Sequence, residues 1–219
     1  MQKNKVHDLG QQLSEGIREL GYNRSVGTSE KEEKLLNYLK LIQKWNGVHN
    51  LTAIRDPKIM LTHHIIDSVA VLPHITGTTI ADIGSGAGLP GIPIAIMQPE
   101  SAVTLIESNK KKSAFLQQAK IELKLTNITV IADRVEHHQT KNPFDIIISR
   151  ALSNLSDFIN MSAKLGDNET KKTQFVAMKA NNYEQEIDNL PDGYRVDRIV
   201  PLNVPGLNAE RHLIIIKQS

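Results

Sequence analysis

The chain has 219 residues, enough for one domain or one with an appendage, with 40% hydrophobic and 23% charged residues. That composition excludes a disordered tail protein, a collagen-like repeat and a coiled-coil rod. Twenty-six basic against 24 acidic side chains leave +2, so any nucleic-acid contact must come from local basic clusters.

The absence of cysteine rules out disulfides, thiol nucleophiles, thiolate zinc sites and iron–sulfur clusters. No apolar run approaches the roughly 18 residues of a membrane helix, and Met1–Gly10 has no apolar signal core. A soluble cytoplasmic protein is expected.

Val6, Leu9, Leu13, Ile17 and Leu20 recur at intervals of three and four, one face of a helix that Gly21 stops. Ser29 and Glu32 have capping-box spacing and open a second helix with Leu35, Leu36, Leu39, Ile42 and Trp45 on its apolar face. Asp56–Pro57 predicts an N-cap with proline at the first helical position. That third helix runs through Ile59, His63, Ile66 and Ala70 until Pro73 closes it.

Near residue 75 the pattern changes. Strand candidates at 79–83, 103–107, 128–132, 144–149 and 174–179 alternate with helix candidates at 92–97, 111–125, 155–165 and 183–190. Strands at 195–202 and 212–217 then follow each other, joined by a turn with Pro205 and Gly206. Alternation predicts an α/β fold with a mostly parallel sheet covered on both faces, and the last pair predicts a terminal antiparallel hairpin. Residues 1–75 then form an N-terminal helical extension packed on the core, and residues 76–219 the α/β domain.

The strongest local signal is the run from Ile80 to Gly91, in which an apolar strand enters Gly84, Gly86 and Gly88 and a helix begins near Pro90. Glycines suit a tight turn that a ligand approaches closely, and the following helix aims free N–H groups at it. A dinucleotide fingerprint has two residues between its second and third glycines. Here Ala87 stands alone, which disfavours a pyrophosphate cradle. Glu107, at the end of the next strand, suits the two hydroxyls of a ribose, hence an adenosine ligand. Asp82 either braces the loop backbone or meets a charged ammonium on the ligand.

An acid, three alternating glycines and a second acid at the next strand end resemble the class I S-adenosylmethionine-dependent methyltransferases, which have a Rossmann-like sheet. A longer series narrows the resemblance: Trp45–Asn46, Asn50–Leu51–Thr52, Arg55–Asp56–Pro57, His64 to Ser68, GSGAGLPGIP from Gly84 to Pro93, Arg134–Val135–Glu136, Phe144–Asp145, Ser149–Arg150–Ala151, Lys179 and Glu210 to Leu213. In order and spacing the chain is similar to the RsmG (GidB) family of bacterial 16S rRNA guanine-N7 methyltransferases, from about Glu30 to Lys217.

The resemblance implies transfer of a methyl group from S-adenosylmethionine to guanine 527 (conventional numbering) of 16S rRNA. It places Gly84, Leu89, Val135, Glu136 and Arg150 at cofactor contacts, beside Asp82, Gly86 and Glu107 from the residues themselves. The small ribosomal subunit is the implied partner, a monomer is expected, and neither metal nor membrane is called for. Guanine N7 needs no general base, so no catalytic residue is singled out. Arg134, Arg150, Lys179 and Arg211 fall at strand ends, where they are expected to gather and meet RNA, with Lys179 and Arg211 the foremost candidates; Lys110–Lys112 form a second basic cluster. Trp45 reads as core filler, and His64 with Asp67 as anchors of the third helix. The alternative is a methyltransferase of the same fold acting on a protein or small molecule.

Overall fold

The computed structural model describes residues 2–22, 28–150, 154–167, 169–170, 172–181 and 183–219. The side chain of Val6 and the residue Ala151, both used above, lie outside this set.

Seven strands form one sheet: β1 (Thr79–Ile83), β2 (Ala102–Ile106), β3 (Ile128–Ile131), β4 (Ile146–Arg150), β5 (Gln174–Lys179), β6 (Tyr194–Pro201) and β7 (His212–Gln218). Their order is β3-β2-β1-β4-β5-β7-β6. The first five are parallel, and β7 runs antiparallel to both β5 and β6. This is the expected α/β sheet with its terminal antiparallel hairpin. The order reverses between β1 and β4, and the crevice beyond the carboxyl ends of such a pair is where open sheets bind ligands. Reversing β7 pairs His212 with Lys179, so Arg211 enters at the same edge as the end of β5.

Helices cover both faces. On one lie α1 (Gln2–Glu19), α2 (Thr28–His49), α3 (Pro57–Met60), α4 (Asp67–Val69), α5 (Gly91–Met97) and α6 (Lys110–Glu122). Leu13, Ile17, Leu35 and Ile42 share one buried cluster with Ile80, Leu105, Phe115 and Leu116. On the other face α7 (Leu155–Ser162) packs Leu155, Phe158 and Ile159 against Ile83, Ile147 and Phe175; the short α8 (Glu184–Ile187) follows β5. Ile80, Ile146 and Ile148 face the first cluster and Ala81 and Ile147 the second, as alternation along buried strands requires.

Several boundaries differ from the sequence reading. Ser29 lies inside α2, and Glu32 accepts from Ser14 Oγ at 2.6 Å, tying α1 to α2 instead of closing a capping box. Asp56 does cap α3, accepting from the Lys58 and Ile59 amides. The third helix then loosens into a π-helical segment, Leu61–Ile66. Strand β4 starts at Ile146 because Asp145 is used as a clamp, its carboxylate accepting from the Thr78 and Thr79 amides. The 155–165 helix tightens to a 3-10 turn at Ala163–Leu165, and the 183–190 helix shrinks to α8.

Candidate active site

Gly84, Gly86 and Gly88 all have positive φ (66°, 59° and 86°). A side chain at Gly88 would stand 2.5 Å from Ile92 Cδ1, so here both the conformation and the space demand glycine. The loop is held by its neighbours. The Gly84 and Ser85 amides donate to the Ile106 carbonyl at 2.9 and 3.2 Å. Glu107 accepts from the Gly86 amide at 2.8 Å and from the Asn109 amide at 2.7 Å. Each carboxylate oxygen accepts more than one hydrogen bond, so capacity for ribose hydroxyls remains.

Asp82 lies fully buried beneath the loop, and its Oδ2 accepts from the Gly91 amide at 3.0 Å. This is the bracing role. Its Oδ1 has no partner among the described residues, which leaves a place for a cationic group. Burial raises its pKa to about 7, opposed by the Gly91 hydrogen bond and the Arg150 charge.

Two pockets open along the carboxyl edge. One, of about 300 Å³, is lined by Ile83, Gly84, Ile106, Ser108, Asp133, Arg134, Val135, Glu136 and Met161. Its apolar floor and polar rim, with bare backbone at Gly84, fit an adenosine. Val135 and Glu136 lie on a 3-10 turn (Val135–His137) after β3, with Val135 buried. The Glu136 carbonyl accepts from Lys164 Nζ.

The second pocket, of about 350 Å³, is lined by Ile54, His63, His64, Asp67, Arg150, Met178, Lys179, Ala180 and Arg211. Asp67, only 1% exposed, is its hub. It accepts from Arg150 Nη1 at 3.2 Å and from Arg211 Nε at 3.1 Å. Arg150 also donates to the His63 carbonyl at 2.9 Å, inside the π-helical segment. Lys179 pairs with Glu186 at 2.7 Å. His64 Nε2 lies 2.9 Å from Thr52 Oγ1; burial, then the Arg150 charge, lowers its pKa to about 4, so it is neutral at pH 7. Two guanidiniums therefore share one carboxylate beside the Lys179–Glu186 pair, three cations against two carboxylates in a half-open cleft, an arrangement suited to an anionic ligand.

Residues 31–214 match the family described as rRNA small subunit methyltransferase G. The chain belongs to this family. It is 50% identical over 212 residues to the Ribosomal RNA small subunit methyltransferase G of Nitrosospira multiformis, covering 95% of this chain and 97% of that one. The corresponding protein of Nitrosomonas eutropha is 44% identical over 210 residues, covering 96% and 98%. Among solved structures, M. jannaschii TYW2 in complex with AdoMet superposes with a TM-score of 0.56 at 18% identity, over 73% of this chain and 78% of that one, a likeness of fold.

Within this member of the methyltransferase G family, the predicted residues divide between the pockets. Gly84, Val135 and Glu136 line the first, with Gly86, Glu107 and Asp82 shaping the loop beside it. Arg150, Lys179 and Arg211 gather in the second. Arg134 does not join them: it lies beyond β3, four strand spacings or roughly 19 Å from the end of β5. Leu89 is buried in the core beneath the loop, so its cofactor contact rests on the resemblance alone. Trp45 packs edge-on against Phe115, as core filler should. Lys110–Lys112 occupy the first turn of α6, where their charges oppose the helix dipole and stability gives no reason for them.

Sequence reasoning undervalued Asp67. Read as a helix anchor, it is the shared acceptor of two arginines. The signal was present: a carboxylate in the largely apolar stretch from Ile65 to Val71 needs a buried partner.

Proposed function

We propose that the protein methylates N7 of a guanine in 16S rRNA, using S-adenosylmethionine, as a monomer in the cytoplasm. The observation that carries this reading is adjacency. The glycine loop and its adenosine-sized crevice sit at the end of β1, and the cationic pocket sits at the ends of β4 and β5, one strand away. Arg150 links them, since its charge acts on Asp82 under the loop and on His64 in the pocket.

When bound, S-adenosylmethionine supplies a sulfonium-activated methyl group. Gly84 and Gly86 would give it bare backbone, Glu107 and the Val135–Glu136 turn would hold its adenosine, and Asp82 Oδ1 would face its ammonium. Guanine N7 carries a lone pair and no proton, so its bond to the methyl carbon would form as the carbon–sulfur bond breaks and S-adenosylhomocysteine leaves, with no base required. The residues have only to place nitrogen, methyl and sulfur in line and keep the base from turning. Arginine commonly reads guanine through O6 and N7 together. Here N7 must stay open, so Arg150 and Arg211 read O6 and the neighbouring phosphates, and Lys179 adds a further phosphate contact. Residues 1–75 serve as the helical extension and residues 76–219 as the methyltransferase domain.

The test is methyl transfer from labelled S-adenosylmethionine to small subunits from cells lacking the gene, with the label mapped by cleavage at N7-methylguanine. One labelled site in 16S rRNA is expected. Cofactor binding without rRNA labelling would move the substrate to a protein or small molecule.

A further inference from the structure

The glycine loop has a support outside the sheet. Tyr38, from the middle of α2, is fully buried and its hydroxyl donates to the Ala87 carbonyl between Gly86 and Gly88. Its ring stacks on Phe115 of α6 at 6.4 Å between centroids. Burial lifts its pKa well above the ordinary value, so the hydroxyl keeps its proton and remains a donor.

A second tie repeats the contact. Lys31 Nζ donates to the Met97 carbonyl, the last residue of α5, at 2.8 Å. Lys31 and Tyr38 are seven residues apart, two helical turns on one face of α2, a rise of about 10 Å. Helix α5, seven residues long, spans about the same distance. Helix α2 thus grips the loop-and-helix unit at both ends: the loop at one, the final carbonyls of α5 at the other. Among the described residues, the loop's other hydrogen bonds run to its own turn or to the strand side, through Ile106 and Glu107, and Tyr38 supplies its hydrogen bond from the N-terminal helices.

We propose that Tyr38 is a positioning residue for the cofactor: its hydroxyl fixes the Ala87 carbonyl, and with it the course of Ser85–Gly88, in the conformation that binds S-adenosylmethionine. This rests on the reading above that the glycine loop holds the cofactor. It gives the N-terminal extension a part in cofactor binding that packing alone does not supply. Without the hydroxyl, the Ala87–Gly88 peptide turns to find another donor, and the loop samples courses that no longer fit the ligand.

The experiment compares Tyr38→Phe with Trp45→Leu in the full chain. Tyr38→Phe removes one oxygen and keeps the ring. Trp45→Leu disturbs the same aromatic group through Phe115, at 5.6 Å, from the same helix, and Trp45 has no hydrogen bond to the loop among the described residues. Cofactor affinity is read by calorimetry with S-adenosylmethionine and S-adenosylhomocysteine, the substrate side by the KM for small subunits, and the fold by thermal melting. Tyr38→Phe is expected to raise both cofactor Kd values about tenfold, with the KM for subunits within about twofold and melting still cooperative. Trp45→Leu is expected to lower the melting temperature at least as far while leaving cofactor Kd within about twofold. Equal cofactor Kd in wild type and Tyr38→Phe overturns the proposal. So does an equal loss in Trp45→Leu, which would make the effect one of general packing, and so does a Tyr38→Phe chain that no longer melts cooperatively. If wild type itself binds no S-adenosylmethionine, the cofactor reading fails instead.

Discussion

Replacing Asp67 by asparagine keeps the shape of the side chain and removes its charge. The carboxylate is almost wholly buried between Arg150 Nη1 at 3.2 Å and Arg211 Nε at 3.1 Å. Taking one partner out of a buried ion pair costs about 3–5 kcal/mol. Both arginines keep about a fifth of their side chains in solvent, and the asparagine oxygen still accepts from one of them, so the lower end applies, about 3 kcal/mol. In a chain of this size each kcal/mol moves the melting midpoint by about 2–4 °C, giving a fall of about 6–12 °C. The guanidiniums lose their common anchor, so turnover on small subunits should fall at least tenfold while cofactor Kd changes by less than threefold. One uncompensated cation should also steepen the salt dependence of RNA binding by about one unit of slope. Calorimetry, methyl-transfer turnover on small subunits, cofactor titration and RNA binding between low and moderate salt measure all four. An unchanged midpoint together with unchanged turnover would refute the view of Asp67 as the hub of the pocket.

Gly86→Val forces a β-branched residue to a φ of +59° and should abolish cofactor binding while the core still melts in one transition; calorimetric titration at wild-type affinity would contradict it. Glu107→Gln weakens the hold on the Gly86 amide and on the ribose, and S-adenosylhomocysteine Kd should rise about tenfold, or the residue is only a strand-end acid. Lys179→Ala should weaken binding to small subunits and lower the salt slope by about one, with cofactor Kd unchanged. For pH, the folded pKa of His64 is about 4 against an ordinary 6.5, so on acidification the unfolded chain takes up the proton first. This contribution is intact above pH 6.5 and lost progressively towards pH 4, by about 2 kcal/mol at pH 5. Asp82, raised to about 7, works the other way and costs stability as pH rises from 3.8. Comparing urea unfolding of wild type and His64→Gln at pH 7.5 and pH 5 isolates the histidine, and a pH-independent difference would remove it.

The strands and the glycine loop were legible because their signals are local. Ile80, Ala81 and Ile83 running into Gly84 admit few other readings, and the boundaries of β1 and β5 match to the residue. The π-helical segment was not legible, since its side chains fit an ordinary helix and only packing against α1 and the pocket decides. Gly16 illustrates this: an added side chain there would stand 2.7 Å from Ile66 Cδ1, a contact 50 residues away in sequence. The separation of Arg134 from Arg150 was hidden for a similar reason. Both lie at or just past a strand end, and only the strand order shows that β3 is an edge strand while β4 is central. Tyr38 gave no sign at all, one apolar position among several on α2.

The cluster that joins the first two helices to the sheet has a consequence for synthesis. Helix α2 packs against α6, whose Phe115 and Leu116 share its buried cluster and come much later in the chain. Ile42 and Leu116 are 74 residues apart (116 − 42). At roughly 5–20 residues per second, a nascent chain displays that greasy helix face for about 4–15 s before those partners have been made. During that interval the growing polypeptide is a natural client for whatever chaperones wait at the tunnel exit of the ribosome.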